Sequence, residues 1–341
     1  MNRASEPAIW LPAVRAGSGA DVFTERLVDG LNRRGLRAEI AWLPHRAEYA
    51  PWAVSVPHPP AWANIAHINS WLHPRFIPGG LPIVASMFHC VLDPALSPYK
   101  THLQRLYHRF WVKPLEQKVL ARAGQVIAIS QYTKERTEEI YGISGIQKIL
   151  CGIDLACFQP TPSKSCHSPF RLLFVGNWSR RKGADLLLPI MRMLGKDFEL
   201  WLLAGLRASQ LSDLAPNIRL LPPCADDTAM VTLYQECDVL LFPSRLEGFG
   251  LAVLEAQSCG LPVIVTHGSA LPEIVEQGVT GFLCPQDDVS AFAAACQHLS
   301  ADPLLWRRMG EAARTRAVAH FGIETMIDRY VAVYRSVLEQ P

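Results

Sequence analysis

Short apolar runs alternate with amphipathic stretches from one end of the chain to the other. An α/β protein with parallel sheets has this pattern, because strands buried on both faces read as continuous apolar segments while each crossover helix carries one apolar stripe. Residues 9–14 predict the first strand. It runs into Gly17-Ser18-Gly19, after which Val22, Phe23, Leu27 and Leu31 recur at helical spacing until Gly35 ends the helix. Segments 38–42, 65–69, 83–87 and 126–129 complete the strands of a first doubly wound unit. A second βα series has strands at 171–175, 199–204, 218–221, 239–242 and 263–265. The Pro- and Ser-rich stretch 159–169 between the two series reads as a linker. The expected organisation is a first domain over 1–158, a second over 170–320, and a last segment, 321–341, whose amphipathic stretch 323–338 would pack back on the first domain. The 341 residues agree with two domains at roughly 150 residues each.

Composition narrows the class. A chain that is 49% hydrophobic and 19% charged supports a well-packed core, which excludes a disordered chain. Its 33 Lys+Arg nearly balance 31 Asp+Glu, so a net charge of +2 gives no global field to recruit nucleic acid or a membrane, and any basic patch must be local. Nine cysteines are scattered with no CxxC pair and no zinc-ligand spacing, and read as reduced thiols of a cytoplasmic protein. The first apolar run, interrupted by Pro7 and Pro12, is shorter than a signal-peptide core or a membrane span.

Candidate chemistry concentrates in the second half. In 242–262 (FPSRLEGFGLAVLEAQSCGLP) a strand ends, a Gly-containing loop follows and a helix is expected to start near Phe249. Glu247 would lie in the loop and Glu255 roughly a turn and a half into the helix, both bordering one crevice at the strand's carboxyl end. Free N–H groups and the positive dipole end of that helix suit a diphosphate, and an ionised carboxylate suits ribose hydroxyls. Another strand runs into Gly176-Asn177-Trp178-Ser179-Arg180-Arg181-Lys182-Gly183, whose cations could neutralise a departing nucleoside diphosphate without a metal. A third loop, 267–273 (HGSALPE), has small residues that allow close backbone approach. Taken singly, Glu247 reads sooner as a helix-dipole partner, Glu255 as a solvated helix residue and Arg180–Lys182 as a solvated basic turn. Three such loops in one half-chain favour a site.

The segments FVGNWSRRKG, LLFPSRLEGFGLAVLEAQSCGLPVI and GSALPEIVEQGVTGFLCPQDD closely resemble glycosyltransferase family 4 in order and spacing. The first half adds the GSG loop, a strand ending at Phe88-His89, the VIAIS strand followed by Gln131, and CGID at 151–154. The resemblance implies a GT-B fold of two facing Rossmann-like domains with a cleft between them. It also implies a retaining transferase that moves a hexose-type sugar from a UDP- or GDP-linked donor to a glycan or lipid-linked acceptor, in cell-envelope polysaccharide or lipopolysaccharide synthesis. Glu247 and Glu255 would be the two glutamates of the family's E-x7-E motif, the first beside the transferred sugar and phosphate, the second on the donor ribose. Lys182 with Arg181 would hold the diphosphate, Phe249, Gly250 and Leu251 would offer backbone N–H groups, and His89 would contact the donor sugar. Gly17 and Gly19 would form the glycine loop beside the phosphates. Glu247, His89 and Lys182 are the catalytic candidates. Asn177 stands where many members carry arginine, and Arg180 or Arg181 would take that place.

No further cofactor is expected. Ala16-Gly17-Ser18-Gly19-Ala20 is an incomplete dinucleotide fingerprint, and no Walker lysine follows a Gly-rich loop. The rival readings are a nucleotide-sugar epimerase or a phosphorylase-like enzyme of the same fold, a non-catalytic nucleotide-sugar-binding subunit, and a Rossmann oxidoreductase.

Between Tyr99 and Gly124 six basic residues face one acidic residue, Glu116. Arg105, Arg109 and Lys113 fall four apart, while Leu103, Leu106 and Phe110 form an apolar face before Pro114 restarts the helix. Two readings compete. The helix either lies over the core of the first domain with its charges in solvent, or rests as a peripheral contact on an anionic membrane.

Overall fold

The computed structural model describes residues 6–162, 165–205 and 215–340. The chain divides into two compact units, Met1–Gly152 with Ile323–Pro341, and Ile153–Gly322. The division therefore precedes the stretch 159–169. That stretch belongs to the second unit, where the His167 N–H and ring Nδ1 both reach the buried Asp238 carboxylate.

The first unit is built on β1 (Ile9–Val14), β2 (Ala38–Leu43), β3 (Ile65–Asn69), β4 (Ile83–Met87), β5 (Gln125–Ala128) and β6 (Gln147–Lys148). They form one parallel sheet in the order β2-β1-β3-β4-β5-β6. Its helices are α1 (Gly19–Arg33), α2 (His102–Tyr107), α3 (Lys113–Arg122) and α4 (Gln131–Tyr141). The strand β6 escaped the sequence reading because it is two exposed polar residues at a sheet edge, with no apolar signature. Between α2 and α3 the chain takes a π turn over His108–Val112. Proline in a continuous α-helix would clash with the carbonyl four residues earlier, and the widened turn just before Pro114 relieves this.

The second unit contains β7 (Phe170–Val175), α5 (Ala184–Leu194), β8 (Phe198–Leu203), β9 (Ile218–Leu220), α6 (Asp227–Gln235), β10 (Val239–Phe242), α7 (Leu251–Ser258), β11 (Val263–Thr266), α8 (Leu271–Ile274), β12 (Gly281–Cys284), α9 (Val289–Ala301) and α10 (Pro303–His320). Its sheet is again wholly parallel, ordered β12-β11-β10-β7-β8-β9. In each sheet the chain first builds to one side of its opening strand and then to the other, so the order reverses between β1 and β3 and between β7 and β10. In doubly wound sheets ligands bind outside the carboxyl ends of the strands at such a reversal.

The last helix, α11 (Ile323–Glu339), returns to the first unit and packs on α1 and β4. Gly30 on α1 makes room for it, since a Cβ there would come within 2.6 Å of Ile327 Cδ1. Buried His67 on β3 accepts or donates at Nδ1 to the Tyr334 hydroxyl at 2.7 Å and at Nε2 to Ser86 Oγ at 2.8 Å. Burial pushes this imidazole down to about 3, so it is neutral throughout the physiological range.

Candidate active site of the second unit

The site grows from the two strands that flank the sheet reversal. After β7 the chain turns through Gly176 and Asn177 into the short 3-10 turn Arg180–Lys182, capped by Ser179. Gly183 follows with φ +71°, and a Cβ on it would stand 2.1 Å from the Pro243 carbonyl oxygen. Only glycine allows the β7 loop to lie directly against the end of β10 in this way. Gly183→Ala is expected to cost about 2–5 kcal/mol, from the left-handed backbone together with overpacking. A chemical-denaturation midpoint unmoved from the wild type would contradict this.

That close approach brings Lys182 to Glu247. The ammonium donates to Glu247 Oε1 at 2.6 Å, with the two side chains 16% and 9% exposed. Ser244 Oγ donates to the same oxygen at 2.5 Å, and the Glu247 N–H donates to Ser269 Oγ at 3.0 Å. Arg181 donates to the Leu246 carbonyl at 2.9 Å, which folds its guanidinium onto the same loop. Burial opposes the charge on Glu247, but Lys182, Arg181 and the Ser244 hydroxyl outweigh it and hold the carboxyl below its ordinary range. Burial also lowers the Lys182 ammonium, helped by Arg181 and opposed by Glu247. Two cations and one carboxylate leave an excess of positive charge where the sheet reverses.

Arg245 completes the frame. Its guanidinium grips both oxygens of Asp185 at 2.6 and 2.9 Å, reaches Asp287 Oδ1 at 2.5 Å and donates to the Arg180 carbonyl. It is 7% exposed and ties the loops after β7, β10 and β12 together. Sequence reading missed it, together with Ser244 and Ser269, because its partners lie 60 and 42 positions away. The one local hint was an arginine inside an otherwise apolar and Gly-rich segment.

The helix after β10 begins at Leu251 rather than near Phe249, because Gly250 has φ +113°, outside the helical region. In its first turn the Val253 N–H already donates to the Gly250 carbonyl at 3.0 Å, while the N–H groups of Leu251 and Ala252 precede the first bond within the helix. Phe249 is buried against the Phe321 ring at 6.1 Å, so only its backbone can serve a ligand. Glu255 on α7 is 9% exposed, and its Oε2 accepts from the Tyr234 hydroxyl of α6 at 2.9 Å. Glu255 is therefore not the solvated residue of the alternative reading, and Lys182 does not belong to a solvated turn. Arg180 does, with its side chain 75% exposed and its Nε 3.8 Å from Asp185. Asn177 is exposed, near Gly205. Arg181, not Arg180, therefore stands beside the Lys182–Glu247 pair.

The remaining candidates lie in the first unit. His89 is half-buried just beyond the carboxyl end of β4. Gly17, with φ +64°, lies in the turn between β1 and α1, and Gly19 opens α1. The N–H groups of Ala16 and Gly17 are not offered to a ligand, because Asp21 Oδ2 accepts both, at 2.9 and 2.7 Å. What the turn requires of Gly17 is its left-handed backbone, because a Cβ there would meet nothing within 4 Å.

Both units resemble known proteins. A model described as "Glycosyl transferases group 1" matches residues 169–302, and one described as "Glycosyltransferase Family 4" matches residues 62–156. The D-inositol 3-phosphate glycosyltransferase 1 of Catenulispora acidiphila is 30% identical over 252 residues, which cover 66% of this chain and 60% of that protein. The match thus spans about three-fifths of the curated relative's length. Among solved structures, sucrose-phosphate synthase from Thermosynechococcus elongatus superposes with a TM-score of 0.76 at 20% identity, over 96% of this chain and 98% of that one. Anabaena Alr3699/HepE in complex with UDP-glucose gives 0.71 at 18% identity, over 96% and 99%. At such identities the likeness is one of fold, and the fold is that of GT-B glycosyltransferases. With both of its units matched by glycosyltransferase models, the chain belongs to glycosyltransferase family 4.

Proposed function

We propose that this protein transfers a hexose-type sugar from a nucleoside diphosphate donor to a glycan or lipid-linked acceptor with retention of configuration, the donor diphosphate being held in the second unit. The observation that carries the proposal is the buried Lys182–Glu247 pair, 2.6 Å apart, placed at the reversal between β7 and β10 with Arg181 adjoining it. Burying two charges costs several kcal/mol of desolvation that packing alone would avoid, so a purely structural role explains the pair poorly. Lys182, Arg181 and the start of α7 would take the charge that grows on the leaving diphosphate. Glu255, oriented by Tyr234, would accept from the ribose hydroxyls. Glu247 would stand beside the transferred sugar. The bound UDP-glucose of the structural neighbour HepE makes a uridine donor the first to test. The free cysteines suit a reducing cytoplasm, and synthesis of cell-envelope polysaccharide or lipopolysaccharide is the proposed setting.

Thermal-shift titration with UDP, GDP, ADP and NAD tests the donor site, since a ligand that binds only the native state raises its stability. One nucleoside diphosphate is expected to bind. Glu255→Gln, which keeps an oxygen to accept from Tyr234, is expected to weaken that binding about 10- to 100-fold by removing charge-assisted bonds. Stabilisation by NAD alone would end the proposal. Donor binding without turnover on any acceptor would favour a non-catalytic subunit, and a change of the donor sugar with no acceptor present would favour an epimerase.

A further inference from the structure

Of the two readings of the helix after Tyr99, the one that lays its apolar face over the core of the first unit does not hold. Leu103, Leu106 and Phe110 are 78%, 53% and 69% exposed. The side chains that anchor the segment come later: Val112, Leu115, Val119 and Leu120 are buried. Every residue of α2 is exposed, yet the helix is well defined at its start, where Thr101 and Gln104 close a reciprocal capping box. Among the described residues eleven large hydrophobic side chains are exposed, and six of them, including all four aromatic ones, are Tyr49, Trp52, Leu103, Leu106, Tyr107 and Phe110. They form one neighbourhood. Tyr107 Oη and Trp111 Nε1 both donate to the Glu48 carbonyl, at 3.4 and 3.1 Å, and the Trp52 and Trp111 rings stand 6.5 Å apart.

The exposed charges named around this patch have one sign. Arg46, Arg105, Arg109, Lys118 and Arg122 are exposed and Lys113 is half-exposed. The only carboxyl between Tyr99 and Gly124, Glu116, is fully buried under the Tyr141 and Ser70 hydroxyls, and burial pushes it up to about 7. The nearby Glu48 is partly buried with His45 Nε2 3.6 Å away. A contiguous apolar patch of this kind marks an interaction surface, and aromatic and Leu side chains rimmed by arginine and lysine suit the boundary between anionic headgroups and acyl chains. A second copy of the chain fits poorly, because a two-fold contact would set the same basic residues against one another.

We propose that the turns at 45–53 and the helix 102–113 dock together on an anionic lipid surface, with Trp52, Leu106 and Phe110 entering it and Arg105, Arg109 and Lys113 on the headgroups. This is peripheral contact: no helix among the described residues is long and apolar enough to cross a membrane. The proposal goes beyond the transfer reaction and does not depend on it, because its test reads binding without turnover.

The test is flotation of the full chain with vesicles of phosphatidylcholine alone or of phosphatidylcholine containing phosphatidylglycerol, in low and high salt. Binding is expected only with phosphatidylglycerol and is expected to weaken in salt. Arg105→Glu/Arg109→Glu should weaken it at least about thirtyfold, since each basic residue at such a surface contributes roughly a factor of five. Leu106→Ser/Phe110→Ser should abolish it. All four side chains are exposed, so both variants should melt like the wild type. Equal partition to the two vesicle types, no binding to either, or wild-type binding by both variants would overturn the proposal. So would a concentration-dependent dimer that Leu106→Ser/Phe110→Ser dissociates, with no vesicle binding, since that would identify a second copy as the occupant.

Discussion

Lys182→Ala is expected to lower the rate of sugar transfer about 100- to 1000-fold, the usual consequence of removing one preorganised group that stabilises charge developing in the transition state. It should also destabilise the second unit. The substitution leaves Glu247 buried with its principal counter-charge gone, and breaking a buried pair from one side costs about 3–5 kcal/mol. The two effects can be separated. Lys182→Ala/Glu247→Ala removes both charges, so most of the lost stability should return while transfer stays at the level of the single variant. A denaturant titration reads the first quantity and a steady-state assay at saturating donor reads the second. If the double variant recovers transfer along with stability, Lys182 serves only to balance Glu247. If Lys182→Ala transfers sugar at the wild-type rate, the proposed role of the lysine is lost. Because Glu247 is held below the ordinary carboxylate range, it stays ionised from neutral pH down through mild acid, and the pair should break only as pH falls further.

Much of this site was legible in sequence for a physical reason. Parallel strands buried on both faces announce themselves as apolar runs, and four expected strands, at 9–14, 65–69, 83–87 and 239–242, have the observed bounds of β1, β3, β4 and β10. Placing those strands also places the loops that follow them, so Lys182 and Glu247 could each be assigned to a loop at a strand's end, while the pairing of β7 with β10 that brings those ends together appears only in the structure. What stayed hidden depends on partners distant in sequence. Arg245 looks like one more surface arginine until Asp185 and Asp287 are seen on either side of it. Asp21 looks like an ordinary first-turn acid until its carboxylate is found on the Ala16 and Gly17 amides. The strand β12 has only four residues, with a glycine whose added Cβ would fall 2.4 Å from the Val263 carbonyl oxygen. Its close fit to β11 is a tertiary fact. The helix at 102–113 shows the limit most clearly. Its periodicity defined an apolar face, but periodicity says nothing about whether the domain's own core or something outside the chain covers that face.

A chain ending at Gly322 is expected to lose the folded first unit altogether. The helix it lacks, α11, buries Ile323, Met326, Ile327, Tyr330, Val331, Val333, Tyr334 and Val337 against that unit. At about 1.5–3 kcal/mol per large apolar side chain, eight such residues contribute on the order of 10–20 kcal/mol. Even discounted for a compact unfolded chain, that equals or exceeds the roughly 5–15 kcal/mol by which whole domains are stable. Polar terms act in the same direction. Without Tyr334 the buried His67 loses its Nδ1 partner, and without Tyr330 it loses the ring stacked on it at 5.5 Å. Gly30, left facing an empty groove, would add a flexible point in the middle of α1. Tyr334→Phe provides the graded control, with an expected cost of about 1–3 kcal/mol from the unsatisfied imidazole nitrogen. Calorimetry should show one unfolding transition missing from the truncated chain and only shifted in Tyr334→Phe. A truncated chain that retains every transition would mean that the first unit folds without α11, and that burial against this helix stabilises the unit far less than its eight apolar side chains imply.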